Sequence, residues 1–405
     1  MPSPELRTAP VRRAVAVVHP RMGRGGSEAV AMWTLQALKD RFAVSIVTTN
    51  AVDLPALNSF YGTSVRAEDV TVRQVPVPRI PFVARGGAAI HGALFQRAMR
   101  RLAWDYDALL SVYNPTDFGR PAIHLLDLSW DERLRSRFSV APRGMQGIFH
   151  QVAFVRAAYL SLARLLARPS GRDLFSGEDV LLAYSEWVAS VIERQHGVRC
   201  GVLYPPVPDI PPKIPFAERK PDFVCVGRIS EEKRLERVLG IVEKVRSRGH
   251  DVRLRLVGGL GRDAYARKIR ALAAGLPWVA LEGSVSNDRK AEILTSSRYG
   301  IHGAEGEAFG IAVAEMISAG CIAFAPAEGG PAEILGHDAL LYRNDEEAVE
   351  KICAVLRSPA LRVRLGEHLR RQAGKFSTDN FMRRIRAAVE EFLRASYPER
   401  DTAGA

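Results

Sequence analysis

Cysteine is scarce. The 405 residues contain four, Cys200, Cys225, Cys321 and Cys353, and no two form a Cys-x-x-Cys pair. That scatter excludes a disulfide framework and a zinc knuckle, and it suits buried thiols in a reducing compartment. Long apolar runs are also missing. Nothing approaches the roughly 20 residues that cross a bilayer. The run Ala14–Val18 is too short for a signal core and ends at His19-Pro20, so it reads as a first strand. A cytoplasmic location is expected. The chain shows neither low-complexity tracts nor a repeat in the range of about 20–50 residues. It lacks a GxGxxG fingerprint, a P-loop and any RNA- or DNA-binding motif.

What is present is the balance of a globular protein with a basic tilt. Hydrophobic residues make up 47% and charged residues 25%, and the formal net charge is +12. Such a charge attracts nucleic acid, anionic lipid headgroups or phosphorylated substrates alike. Short β-branched runs alternate with helical patterns throughout, which predicts an α/β fold with parallel sheets. Strands are expected at 13–19, 43–50, 108–114, 121–126 and 179–185. A second series is expected at 222–229, 252–259, 278–285, 299–304 and 321–327. Between the first two of that series, Leu235, Val238, Leu239, Val242 and Val245 share one helical face, and Gly249 stops the helix. The proline-rich stretch 204–216 cannot extend a helix or join an interior strand, and reads as a stiff linker. The division is therefore 1–205, a linker 206–217, a second unit 218–377, and a final helix from 378 with its tail to 405. Two doubly wound units so joined leave a cleft at the C-terminal ends of their strands, where such sheets bind ligands.

Three stretches carry chemistry at that cleft. In "VGRISEEKR" (226–234), Arg228 and Lys233 flank a strand-to-helix turn. Helix starts favour anions, and Arg and Lys together suit a diphosphate, although two solvated cations fit the spacing equally well. In "HPRMGRGGSEAV" (19–30), Gly23, Gly25 and Gly26 lie between a strand and a helix that Ser27 is expected to cap, with Glu28 in its first turn. Glycine lets a ligand approach the backbone closely, yet a plain structural turn explains this stretch as readily. In "EGEAFGIAVAE" (305–315), Glu307 falls in a loop and Glu315 inside the helix that begins near Gly310. The helical part separates the two carboxylates by roughly 7 Å, at about 1.5 Å per residue. Carboxylates suit vicinal diols, so the pair could hold a ribose at one end and a hexose at the other. The backbone N–H groups of Phe309, Gly310 and Ile311 lie between them.

With these elements in hand, the chain resembles the family 4 glycosyltransferases of the GT-B fold, which are retaining enzymes using nucleotide-activated sugars. The matching pieces are "GGSEAV" (25–30), "YSEWVASVIERQHGV" (184–198), "LYPPV" (203–207), "GRISEEKR" (227–234), "LVGG" (256–259), "EGSV" (282–285), "EAFGIAVAE" (307–315) and "GG" (329–330). They occur in family order over most of the chain. The resemblance implies two Rossmann-like domains facing each other across a cleft. The first lies on the acceptor side, the second binds the donor, and the last helix crosses back to the first. It implies that Glu315 binds the donor ribose and Glu307 the hexose hydroxyls. Arg228 and Lys233 would neutralise the diphosphate, Gly25 and Gly26 approach it from the opposite domain, Gly258 adjoin the donor and Val285 border the base. His124 matches a family histidine near the sugar, although "LLDLSW" (125–130) departs from the usual flank. "IHGAEGEAFGIAVAEMISAG" (301–320) is most similar to the α-1,2-mannosyltransferase type that extends lipid-linked oligosaccharide from GDP-mannose. Ala308 stands where that type carries His, and the membrane anchor of that type is not expected here.

These expectations make the protein a hexosyltransferase, with mannose from GDP-mannose favoured. Its partners would be a nucleotide-sugar donor and a glycan or lipid-linked acceptor. An anionic membrane surface would contact basic helices over 79–101 and 145–168. Nucleic acid is not expected, because Glu307 and Glu315 would repel a polyphosphate chain. Neither cofactor nor metal is required: Asp105-Tyr106-Asp107 has a metal-site form but precedes a strand, on the wrong edge of the sheet. The alternatives are a UDP-sugar-dependent transferase of glucose or N-acetylglucosamine, a GT-B epimerase or, more distantly, a non-catalytic binding subunit.

Overall fold

The computed structural model describes residues 12–77, 88–113, 115–130, 153–173 and 177–398. Its first sheet is built from β1 (Ala14–Val18), β2 (Ala43–Thr48), β3 (Val70–Gln74), β4 (Ala108–Ser111), β5 (Ile123–Leu126), β6 (Val180–Ala183) and β7 (Gly201–Val202). These run parallel in the order β3-β2-β1-β4-β5-β6-β7. The second sheet holds β8 (Lys220–Val226), β9 (Leu254–Val257), β10 (Val279–Gly283), β11 (Ser297–Ile301), β12 (Ile322–Pro326) and β13 (Leu341–Tyr342). It too is parallel, ordered β10-β9-β8-β11-β12-β13.

Helices cover these sheets. In the first domain they are α1 (Gly26–Leu38), α2 (Leu54–Tyr61), α3 (Ala88–Leu102), α4 (Ala153–Ala167) and α5 (Glu186–His196). In the second, α6 (Leu235–Ser247), α7 (Ala264–Ala274), α8 (Asn287–Ser296), α9 (Ile311–Ser318) and α10 (Gly330–Leu335) alternate with the strands. Then come α11 (Asp345–Arg357), α12 (Pro359–Ala373) and α13 (Thr378–Ser396). The apolar face read on α6 is the buried one: Leu235, Val238, Leu239, Val242 and Val245 all lie in the core. Burying such side chains contributes about 1.5–3 kcal/mol each, which is what fixes an amphipathic helix on its sheet.

Every strand expected from the sequence is present. Three were not read: β3, β7 and β13. β3 is an edge strand paired only with β2, and its residues from Thr71 onward are largely exposed, so it lacks the apolar run that marks a buried parallel strand. β7 and β13 have two residues each, too short for periodicity to register. Among the described residues, no helix is long and apolar enough to cross a membrane. Of the two basic segments, 79–87 and 145–152 lie outside the described residues, as does the tail from 399.

Strand order reverses between β1 and β4 in one sheet and between β8 and β11 in the other. At each reversal the following loops diverge to opposite faces and leave a crevice. The domains are also tied by α13. Its Arg386 guanidinium donates to the Ala37 carbonyl at the end of α1, at 3.0 and 2.9 Å. Nearby, Arg41 pairs with Glu390 at 2.5 Å.

Candidate functional site

In the second domain the crevice lies between the loops after β8 and β11. The first loop carries Lys233 in a short turn (Glu231–Lys233), and the second carries Glu307. Their side chains meet: Lys233 Nζ lies 2.9 Å from Glu307 Oε2. His302, which follows the last residue of β11, brings Nε2 to 2.6 Å from the same oxygen. Burial pushes the Glu307 carboxyl up, but Lys233 and His302 outweigh it and hold the group well below the usual carboxylate range.

The backbone of this loop is braced from below. Gly330 N–H donates to the Glu307 carbonyl at 2.8 Å, and Glu307 bridges Gly329. Gly310 caps α9 at φ +97°, and a Cβ there would lie 2.8 Å from Pro331 Cγ, so both backbone and space call for glycine. Phe309 is buried and packs on Phe376 (ring centroids 5.4 Å apart) and Tyr204 (6.0 Å). The start of α9, with the unpaired N–H groups of any first helical turn, is therefore fixed in place. Inside α9, Glu315 is only 7% exposed and pairs with Lys290 of α8 at 2.6 Å. Each acid expected to grip a sugar hydroxyl thus already has a lysine partner.

Other expected positions surround these. Gly258 follows β9 at φ +154°, and a Cβ there would lie 1.8 Å from the Gly227 carbonyl, so two strand-end turns touch through it. Val285 lies between β10 and α8, half-buried against the core of the second domain, beside Ser286, which caps α8. Arg228 stands apart: its side chain is 81% exposed and pairs with Glu232 at 3.3 Å, so it does not join Lys233 and Glu307.

From the first domain, the Gly23–Gly26 loop enters the site. A Cβ on Gly26 would lie 3.3 Å from Ile311 Cδ1, which brings this loop against the start of α9 across the cleft. Gly25, in extended backbone, is the N-cap of α1, and Ser27 is not. Ser27 sits inside the first turn, where its hydroxyl lies 3.1 Å from His19 Nε2 and donates to Glu28 Oε2 at 3.0 Å; the imidazole and the carboxylate hold the group that would have capped. Burial lowers the His19 pKa, against the pull of Glu28. The domains also touch where Ser185 Oγ donates to Ala308 O at 2.6 Å and Trp187 N–H donates to Glu333 Oε2 at 3.3 Å. Tyr204 donates to Glu333 Oε1, and Asn287 donates to the Phe60 carbonyl.

His124 belongs to the first domain. It lies within β5, 1% exposed, its ring stacked on Phe118 at 5.8 Å. Nδ1 accepts from Thr116 N–H at 3.4 Å and Nε2 lies 3.4 Å from Asp179 Oδ1. These contacts all come from its own domain. Asp105 and Asp107 pair with Arg73 and Arg13, and Asp107 also accepts from the Ala14 N–H at the start of β1. Sequence reasoning passed over His302, although it stands at a strand's C-terminal end five residues before Glu307. It also passed over Tyr61, whose hydroxyl accepts from Gly25 N–H at 2.7 Å, and Glu333, which spans the domains. Tyr61 carries no local signal, since its partner is 36 positions away.

Residues 207–372 match the family model "Glycosyl transferases group 1", which supports a glycosyltransferase. A mouse GDP-Man:Man(3)GlcNAc(2)-PP-Dol alpha-1,2-mannosyltransferase is 26% identical over 278 residues, 60% of this chain and 56% of that protein. The match thus spans only about half the length of that relative. Two solved structures share the whole fold. Sucrose-phosphate synthase from Thermosynechococcus elongatus superposes with a TM-score of 0.68 at 16% identity, covering 95% of this chain and 100% of that one. Anabaena HepE in complex with UDP and glucose superposes with a TM-score of 0.65 at 16% identity, covering 94% and 100%. The architecture is that of GT-B glycosyltransferases.

Proposed function

We propose that this protein is a retaining hexosyltransferase of family 4 that moves mannose from GDP-mannose onto a glycan or lipid-linked glycan. The observation that carries the reading is the Lys233–Glu307 pair at the strand-order reversal, with Gly26 of the first domain set against Ile311 at the start of α9. Glycosyl transfer passes through an oxocarbenium-like state while the departing diphosphate gains charge. Lys233 and the start of α9 are aimed where that charge develops, and the exposed Arg228 can swing from Glu232 to join them. Glu307 then accepts from the hexose hydroxyls, and Glu315, on leaving Lys290, from the ribose. Val285 and Gly258 border the nucleotide. The acceptor enters from the first domain and attacks the face the leaving group departs from, with no covalent enzyme intermediate. The mannose preference draws on the mouse relative and on the resemblance of 301–320 to the α-1,2-mannosyltransferase type; a UDP-sugar donor is the second reading, since HepE was solved with UDP and glucose.

The proposed setting is the cytoplasm, at an anionic membrane surface. α4 turns Leu160, Leu162 and Leu165 outward, at 40%, 47% and 72% exposure. Arg97, Arg101 and Arg164 of the α3–α4 pair, with Arg168 just beyond it, have no carboxylate partner among the described residues.

The test is thermal shift with a panel of nucleotide sugars, followed by product analysis with and without EDTA. A tight donor raises the midpoint by mass action. GDP-mannose is expected to give the largest shift and transfer is expected to survive EDTA. A panel with no shift removes the reading. Interconversion of the free donor without acceptor makes the protein an epimerase. Loss of activity in EDTA with recovery on adding Mg²⁺ or Mn²⁺ makes it metal-dependent.

A further inference from the structure

Glu307 is held unevenly. Its main chain is pinned by Gly329 and Gly330, but its carboxylate depends on two side chains that share one oxygen, Oε2. One of them, Lys233, is a compact cation on a flexible four-carbon stem. The other, His302, is fixed. Its N–H donates to the Phe324 carbonyl at 2.8 Å, its own carbonyl accepts from the Tyr342 hydroxyl, and its residue is 1% exposed. A ring so enclosed has little freedom to leave Glu307.

We propose that His302 is a positioning residue for the donor sugar: from Nε2 it holds the Glu307 carboxylate in place when Lys233 is drawn to the incoming diphosphate. The inference rests on the donor reading above. A diphosphate carries opposite charge to Lys233 and competes with Glu307 for it. Without a second partner, the half-buried carboxylate would either follow the lysine or take up a proton, and in both cases it would stop accepting from sugar hydroxyls. His302 Nε2 lies 2.6 Å from Oε2 and leaves Oε1 for the substrate. It acts through Glu307 and does not touch the sugar.

The consequence is specific to the sugar half of the donor. The experiment compares dissociation constants for GDP and GDP-mannose, and for UDP and UDP-glucose, by calorimetry. The proteins are wild type, His302→Ala and His302→Gln, each confirmed as folded by its melting transition; donor KM and kcat are measured alongside. In the donor pair that wild type uses, His302→Ala is expected to bind the bare nucleotide unchanged and the nucleotide sugar about 10–100-fold more weakly, the effect of removing a polar partner from a charged group. His302→Gln places an amide nitrogen near the position of Nε2 and is expected to recover most of the loss. Equal weakening of nucleotide and nucleotide sugar would show a merely structural role and overturn the proposal. So would an unchanged His302→Ala, or a glutamine variant no better than alanine. Wild type binding no nucleotide sugar would instead sink the donor reading, and this proposal with it.

Discussion

Lys233 and Glu307 pair with each other, and this contact makes opposite demands on stability and on activity. For activity the lysine is needed at the diphosphate: Lys233→Ala is expected to lower turnover by about 10²–10³, as when one stabiliser of developing charge is removed. Steady-state kinetics with saturating donor checks this, and a near-normal kcat would remove Lys233 from the mechanism. For stability the contact matters through the carboxyl. Its ordinary value is 4.5 and the folded value lies below it. The pairing therefore contributes stability that is fully present above 4.5 and is lost as pH falls through the folded value. Glu307→Gln is expected to melt below wild type at neutral pH, with the gap closing on acidification; a gap that stays constant with pH would contradict the assignment. The residues that make this site differ in how far sequence betrays them. Glu307, Glu315 and Lys233 sit at spacings that few other constellations share. His302 is one histidine at a strand end, unremarkable until the fold brings Glu307 over it. The Asp179 beside His124 was not legible, because position along a strand says nothing about which acid of the neighbouring strand will lie near the ring.

At the scale of elements, buried parallel strands were legible because they read as continuous apolar runs, and α6 because its apolar positions recur every three or four residues. The edges were not legible, since β3 is mostly polar to solvent and β7 and β13 are barely strands at all. α4 poses the functional question at this scale. Among the described residues, Tyr159, Ala163, Leu166 and Ala167 share an apolar cluster with α3, while Leu162 and Leu165 turn outward beside Arg164. Flotation with liposomes checks what that face does. Wild type is expected to float with anionic vesicles and to stay down with neutral ones, each basic residue near the surface contributing about 1 kcal/mol. Leu162→Ser with Leu165→Ser is expected to abolish flotation while leaving donor binding intact. If wild type does not float at moderate salt, the acceptor is soluble or delivered by a protein.

For the whole molecule, the question is what keeps the two sheets facing each other. Glu333 on α10 accepts from Trp187 N–H and from the Tyr204 hydroxyl, joining the second domain to the first and to the linker at one point. Glu333→Ala removes that junction. Solution scattering of the variant without donor is expected to show a larger radius of gyration than wild type, and added nucleotide sugar is expected to restore it. Equal radii would mean that the remaining contacts, α13, Ser185–Ala308 and Asn287–Phe60 among them, set the spacing. The return of the last helix was expected, but the Glu333 junction was not readable beforehand, because its partners lie 146 and 129 positions away.

Phe309 has a mechanical consequence. Its ring shares one aromatic cluster with Tyr204, where the chain leaves the first domain, and Phe376, where it turns back toward it. The pivot and the donor loop are thus rooted in the same three rings, so a rotation of one lobe is felt at the loop without any intervening lever. A hybrid made by grafting another acceptor half onto this donor half should therefore inherit a misaligned loop unless the returning helix is transplanted with it.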